Sequence, residues 1–386
     1  MYLYERDIFV KPLVMKPSFI CLLLLFVFTV ASSQSKSQTE NIFIITVDGF
    51  RWQEIFTGAD PIISHNPSFV QDTSLVSQLY MDTDPVVRRK KLMPFFWNVI
   101  AQKGQLYGNR TMNNKVNAKN LYKISYPGYN EILTGYTDPR IVINLPRNNK
   151  NISILEFLNN QEEYHDKVVA FSSWYIFPYI LNKERSGLKI NSGYDPVEEE
   201  ADDSTFSMIN DVQEDVNEKG QTRHDWLTFL NAKEYVERHH PRLVFIGLGE
   251  TDEFAHHGHY DMYLQQATAV DKMIADLWYY VQTSSFYKNK TTFIITTDHG
   301  RGAKPTSWPG HHLFIRGSAQ TWIAMIGPDI LPEGEMKTGE QIYQKQIAPT
   351  IAMFLGQKFE NGHTLSKPIS VSVKPSAGSS DIAGTK

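Results

Sequence analysis

The sequence contains a single cysteine, Cys21, which lies inside a 12-residue apolar run, residues 19–30. Cys21 precedes most of that run, a poor position for lipid attachment. Without the run the remaining protein has no thiol, which excludes disulfides, thiolate metal sites and cysteine nucleophiles. An excess of basic charge is also missing. The 38 Lys and Arg stand against 42 Asp and Glu, a formal net charge of −4, so nothing points to a basic face for nucleic acid. Twelve apolar residues are too few to span a bilayer, which takes about 20 in a helix. No internal repeat is visible.

Lys16 precedes the run and Ala31-Ser32-Ser33 follows it, the pattern of a secretory signal peptide over residues 1–33. Met15 is an alternative start, because residues 1–14 add two acidic side chains that suit no signal. Removing residues 1–33 takes away three basic and two acidic side chains and moves the net charge from −4 to −5. The expectation is an exported protein, periplasmic or extracellular, with no membrane anchor after cleavage. At 41% hydrophobic and 21% charged, the chain can bury a large core. A catalytic domain is expected over residues 34–365, and residues 366–386, rich in Ser, Gly, Pro and Lys, read as a disordered tail. Sequons starting at Asn109, Asn151 and Asn289 matter only in a eukaryotic secretory pathway.

Three strand-length apolar runs each deliver a carboxylate at their carboxyl end. The run 41–47 ends in Asp48-Gly49, the run 242–249 in Glu250-Thr251-Asp252, and the run 291–297 in Asp298-His299-Gly300. In open α/β sheets that edge is where ligands bind. Asp252 and His256 are four apart, which puts them on one face of a helical turn. Ser125-Tyr126-Pro127-Gly128 leads into a short helical pattern closed by Thr134-Gly135, so Ser125 sits where backbone N–H groups favour negative charge. Each motif alone has a plain structural reading: a turn-forming Asp-Gly, a capping serine, a helix-capping Asp. Residues 58–92 read as an irregular insertion and residues 174–230, aromatic and then acidic, as a cap or inserted lobe.

The order Val47-Asp48-Gly49, Ser125-x-Pro127 with Thr134-Gly135, Asp252-x₃-His256 and Thr297-Asp298-His299-Gly300 resembles the alkaline phosphatase superfamily over roughly residues 41–355. The likeness is greatest to its phosphodiesterase/nucleotide pyrophosphatase and metalloenzyme branches. It implies an α/β fold, a three-layer sandwich with a mostly parallel central sheet and a cap. It also implies two divalent metal ions, one held by Asp48, Asp298, His299 and the Ser125 oxygen. The other would be held by Asp252, His256 and a histidine of His311-His312. His311 is preferred because the family's loop presents a histidine soon after the Asp-His pair and a Trp, although the doubled histidine leaves His312 open. With oxygen and nitrogen ligands only, Zn²⁺ is the first expectation and Mn²⁺ is also admitted.

The activity so implied is hydrolysis of a small phosphate ester, diester or monoester, through a phosphoseryl intermediate on Ser125. Tyr129 stands where the sulfatase modification motif needs arginine, which argues against formylglycine chemistry. The alternatives are a phosphomutase, a sulfatase-like member, or a non-catalytic metal-stabilised binding protein. Asn144 aligns roughly with a phosphate-contacting asparagine, and Arg185 is a further candidate phosphate contact without a motif behind it. Trp52, Tyr126 and Trp308 could line a pocket or pack in the core. His257 and His259 read as surface or supporting residues.

Overall fold

The computed structural model describes residues 37–198, 204–337 and 339–374. The expected signal peptide lies outside them, as do residues 375–386 of the expected tail. Among the described residues the strands are β1 (Asn41–Val47), β2 (Gln105–Tyr107), β3 (Lys115–Asn117), β4 (Val168–Ser172), β5 (Lys189–Ser192) and β6 (Leu243–Leu248). They continue with β7 (Thr291–Thr296), β8 (Gln320–Thr321), β9 (Ile323–Ile326), β10 (Gly334–Glu335) and β11 (Gln341–Tyr343). Eight form one sheet in the order β10-β2-β9-β7-β1-β6-β4-β5, and β11-β3-β8 form a small second sheet. From β5 across to β7 every neighbour pairs in parallel, and β9 runs antiparallel to both β7 and β2.

The three acid-terminated runs are the adjacent central strands β6, β1 and β7. Every residue in them is buried, as their unbroken apolar sequences require. Their side chains alternate between two cores. Phe43, Ile45, Val244, Ile246, Phe293 and Ile295 point into one, and Ile42, Ile44, Leu243, Phe245 and Ile294 into the other. Helices cover both faces: α1 (Trp52–Thr57), α2 (Ser125–Thr134), α3 (Ile154–Asn159), α4 (Asp225–His239), α5 (Glu250–His256), α6 (Tyr260–Thr283) and α7 (Ile347–Phe354). Tyr263, Leu264, Val270 and Ile274 of α6 seal the first core. Ile132 and Leu133 of α2, Leu158 of α3 and Ile351 of α7 seal the second. The result is the mixed α/β sandwich with a mostly parallel sheet.

Three expectations change. Residues 58–92 are not irregular: they form helices Pro61–Ser64, Thr73–Tyr80 and Pro85–Leu92. Asp60, Asp72 and Asp84 each accept an N–H at the start of one of them. Residues 174–230 are not simply a cap, because β5 extends the main sheet beside β4 and α4 already begins at Asp225. The tail does not begin at 366: Ile369 is buried and donates its N–H to Thr350 Oγ1, and Val373 bridges to Ile330. Single apolar residues spaced among Ser, Lys and Pro pack there without a readable period.

One buried ion pair fixes the edge that carries the site. Arg51 and Glu54 are fully enclosed, with Arg51 Nε 2.9 Å from Glu54 Oε2. Arg51 Nη1 also donates to the Gly302 carbonyl at 3.1 Å, and Tyr260 Oη donates to Glu54 Oε1 at 2.8 Å. The loop after β7 is thereby tied to the turn after β1. Arg51→Ala leaves Glu54 buried and uncompensated, at a cost of about 3–5 kcal/mol. Urea unfolding should register that loss, and a change under 1 kcal/mol would mean that the pair does not hold this edge.

Candidate metal and nucleophile site

Parallel pairing in register brings the three strand ends level: Val47 opposes Leu248, and Thr46 opposes Thr296. Asp48 lies one residue past its strand and Asp298 two past. Asp252 returns toward them on the first turn of α5. Ser125 is the first residue of α2 and is buried.

The geometry centres on His299. Its Nδ1 is 3.0 Å from the Gly300 carbonyl. A carbonyl oxygen only accepts, so Nδ1 carries the proton and Nε2 presents a lone pair. Burial, then the neighbouring His311, holds this imidazole well below its usual range, so it is neutral at pH 7. Around Nε2 stand Ser125 Oγ at 3.3 Å, Asp48 Oδ1 at 3.4 Å and Asp298 Oδ2 at 3.4 Å. Asp48 Oδ1 and Asp298 Oδ2 have no hydrogen-bond partner among the described residues.

Two orphaned carboxylate oxygens, a hydroxyl and an imidazole lone pair facing one point call for a cation. Ligands bound at about 2.0–2.2 Å in a tetrahedron are about 3.3–3.6 Å apart, which matches this spacing. The outer oxygens are satisfied separately. Tyr129 Oη donates to Asp48 Oδ2 at 3.0 Å, and the Gly49 N–H donates to Asp298 Oδ1 at 3.1 Å.

A second group lies beside it. Asp252 Oδ2 is 3.0 Å from His256 Nε2, which is 3.0 Å from His311 Nε2. His311 Nδ1 is 2.9 Å from the Lys123 carbonyl, so its Nε2 also presents a lone pair, and burial lowers it to about 4. His311 stacks on His299 with ring centroids 3.7 Å apart. His312 turns away, accepting the Phe314 N–H at Nδ1. Of the doubled histidine, His311 is therefore the one at the site. Asp48, Asp298 and His299 form one set of potential ligands within 4.8 Å of one another, and Asp252, His299 and His311 another.

The remaining candidates divide. Asn144 Oδ1 accepts the Tyr126 N–H at 2.9 Å, so this side chain sits directly behind Ser125. Arg185 does not face the site: it grips Glu156 at 2.6 and 2.7 Å and the carbonyls of Asn149, Lys150 and Asn151. Trp308 is wholly buried against Phe69, Tyr260 and Tyr263 and lines nothing. Tyr126 is buried with its hydroxyl on the Arg147 and Tyr179 carbonyls. Its ring borders a cavity of about 290 Å³ that is also lined by Ile143 and Arg147. Trp52 is partly buried and donates from its indole to Gln320 Oε1. His257 bonds back to the Glu253 carbonyl, and His259 is exposed.

Two residues at the site had no role in the sequence reading. Tyr129 was noted only for what it replaces, although its place one turn after Ser125 could have suggested a shared target. Arg301, immediately after Asp298-His299-Gly300, pairs with Asp252 Oδ1 and is almost fully buried. The charge state of the carboxylates follows. Burial, then Asp298 and Asp252, holds Asp48 well above the usual carboxylate range. Burial and Asp252 push Asp298 up to about 7. Burial also acts to raise Asp252, but Arg301, His311 and His256 together hold it well below its ordinary value.

The family model for type I phosphodiesterase / nucleotide pyrophosphatase matches residues 102–329, more than half of the chain and all of the motifs except Val47-Asp48-Gly49. Similar solved structures include a mutant of the alkaline phosphatase PafA, at 10% identity and TM-score 0.57, covering 88% of this chain and 99% of that one. The lipoteichoic acid synthase LtaP from Listeria monocytogenes is similar at 11% identity and TM-score 0.53, over 83% and 73% of the two chains. A 2-O GAG sulfatase is similar at 13% identity and TM-score 0.52, over 85% and 73%. At such identities the likeness is one of fold. No curated protein sequence matches.

The crowded carboxylates set a pH dependence. In metal-free protein Asp298 titrates at about 7 when folded, against an ordinary value of 3.8. The folded form then holds the extra proton between those values, so its contribution to stability is present below pH ~4 and lost as pH rises through ~7. Thermal melts of chelator-treated protein should show Tm falling from about pH 6.5 to 8, above the range in which the neutral His299 and His311 give the opposite slope, and added Zn²⁺ should remove that fall. A metal-free Tm that climbs over this interval would contradict the assignment.

Proposed function

The chain belongs to the type I phosphodiesterase / nucleotide pyrophosphatase family, within the alkaline phosphatase superfamily, and from that premise we propose that it is an exported two-metal hydrolase that cleaves phosphate esters through Ser125. Membership makes it a hydrolase of this superfamily. The ester class, the metals, the nucleophile and export are our reading. The observation that carries it is the pair of unpartnered buried oxygens, Asp48 Oδ1 and Asp298 Oδ2, facing the lone pair of His299 beside Ser125 Oγ.

Asp48, Asp298, His299 and Ser125 would hold one divalent ion, and Asp252, His256 and His311 the other. When bound, the ions supply Lewis acidity toward the ester oxygens and lower the serine's pKa. The chain's own residues do the rest. Ser125 is the first residue of α2, at the positive end of the helix dipole, which favours negative charge on Oγ. Deprotonated Oγ would attack phosphorus as the bond to the leaving alcohol breaks, the departing oxygen taking a proton from solvent. Water then cleaves the Oγ–P bond and releases phosphate from a monoester or a phosphate monoester from a diester. Asn144 keeps its carbonyl on the Tyr126 N–H, which leaves its Nδ2 donor for a non-bridging phosphate oxygen.

Ser125→Ala removes the nucleophile and one ligand but leaves three at that position. Turnover of an aryl phosphodiester should fall by several orders of magnitude, about 10³-fold or more, while metal content falls only in part. Quenching a reaction with labelled substrate should leave phosphate on the peptide containing Ser125. Near-parental turnover of the variant would make water the direct nucleophile and overturn the mechanism. Rates on aryl phosphodiesters, phosphomonoesters and sulfate esters decide the ester class.

A further inference from the structure

We propose that the two cation positions are unequal and that Arg301 sets the difference: the Asp48–Asp298 position fills first and tightly, and the Asp252–His256–His311 position fills second and exchangeably. The inference rests on the two-metal reading above and adds an order of loading to it.

The two positions are built from different charges. Beside His299 stand two carboxylates, and their outer oxygens take neutral donors, the Tyr129 phenol and the Gly49 N–H. No cationic side chain touches either among the described residues. The second position has one carboxylate, Asp252, whose Oδ1 pairs with the Arg301 guanidinium. An incoming divalent ion meets two carboxyl groups at the first position that no cationic side chain compensates. At the second it meets one, already paired with a guanidinium.

Arg301 is fixed in that place. It is almost fully buried, its Nε donates to the Trp308 carbonyl at 3.1 Å, and its Nη2 donates to the Pro309 carbonyl. Both carbonyls belong to the loop that carries His311, so the guanidinium cannot swing aside without moving a ligand-bearing segment. The backbone also makes room for the pair. Gly49 has φ +58°, and a Cβ there would run into Asp252 Oδ1 and Arg301 Nη1. Salt does little to screen charges enclosed in this way. Access reinforces the asymmetry. His256 is about half exposed, with 46% of its side chain open, whereas Asp298 and His299 are fully enclosed. The second ion is the one that solvent and free metal can reach, so its occupancy follows the free-ion concentration.

The test titrates metal-free full-length protein with Zn²⁺ against a chromophoric chelator and counts bound ions by native mass spectrometry. The parent should keep one ion through dialysis and bind a second at least tenfold more weakly. Asp298→Asn should abolish the tight ion, and His256→Ala only the weak one. Arg301→Gln, which removes the charge but keeps hydrogen-bond donors, should tighten the weak position at least tenfold and leave the tight one unchanged. Arg301→Lys should resemble the parent. Two ions of equal affinity in the parent, or a second ion no tighter in Arg301→Gln, would overturn the proposal. Binding of no ion at all would instead overturn the two-metal reading itself. If Arg301→Gln fails to fold by circular dichroism, the same titration of Arg301→Met, which also removes the charge, decides the role of Arg301.

Discussion

Two buried carboxylates and a third, partly buried one, each within 4 Å of His299 Nε2, are the constraint on which the rest of this structure turns. Asp48, Asp252 and Asp298 converge because three strands with unbroken apolar sequences are neighbours in one parallel sheet and end level. Burying an uncompensated carboxylate costs several kcal/mol even after relaxation, and like charges at this range raise the cost. The protein relieves part of it with a phenol, a backbone N–H and one guanidinium. The oxygens left over face a histidine lone pair, which repels them further. A divalent cation would complete that arrangement, so the charges that burden the fold here are also those that suit the site to a metal.

The loop after β7 has to return to this cluster, and buried arginines make it do so. Arg51 holds the Gly302 carbonyl, and Arg301 holds those of Trp308 and Pro309. Trp308 fills the space beneath, edge-on to Tyr260 and Phe69. The loop ends with His311 stacked on His299 and its Nδ1 on the carbonyl of Lys123, two residues before Ser125. Lys123 takes a left-handed backbone conformation, φ 56°. That conformation turns the carbonyl of the segment that carries Ser125 toward the loop. Ser125 and the candidate ligands are thus joined through main-chain acceptors.

What could be read from the sequence follows from what is periodic or local. Strands β1, β6 and β7 announce themselves because burial on both faces demands a continuous apolar run, and an acid at each end stands out against it. The Asp252–His256 spacing is a local helical relation and needs no tertiary knowledge. Arg301 and Tyr129 act across the fold, on Asp252 and Asp48, and no spacing along the chain encodes those partners. Arg185 shows the opposite error: its charge suggested a phosphate contact, but Glu156 and three carbonyls claim the whole guanidinium. In β5 the sequence Lys189–Ser192 is polar at alternate positions because it is an edge strand. An edge strand half open to solvent has no continuous run to announce it, so it was absorbed into an expected cap.

Arg301 also changes the charge balance that a substrate meets. Without it, two divalent ions against three carboxylates and a serine alkoxide leave the cluster neutral, a balance with no preference between ester classes. The guanidinium on Asp252 adds one fixed positive charge inside the site. A phosphodiester carries one negative charge and balances it, whereas a monoester dianion leaves the enclosed cluster negative. The Asn144 amide, whose oxygen accepts the Tyr126 N–H, is neutral and would supply a hydrogen bond without altering that sum. On the two-metal reading proposed above, the charge balance of the inner site would therefore favour the singly charged ester.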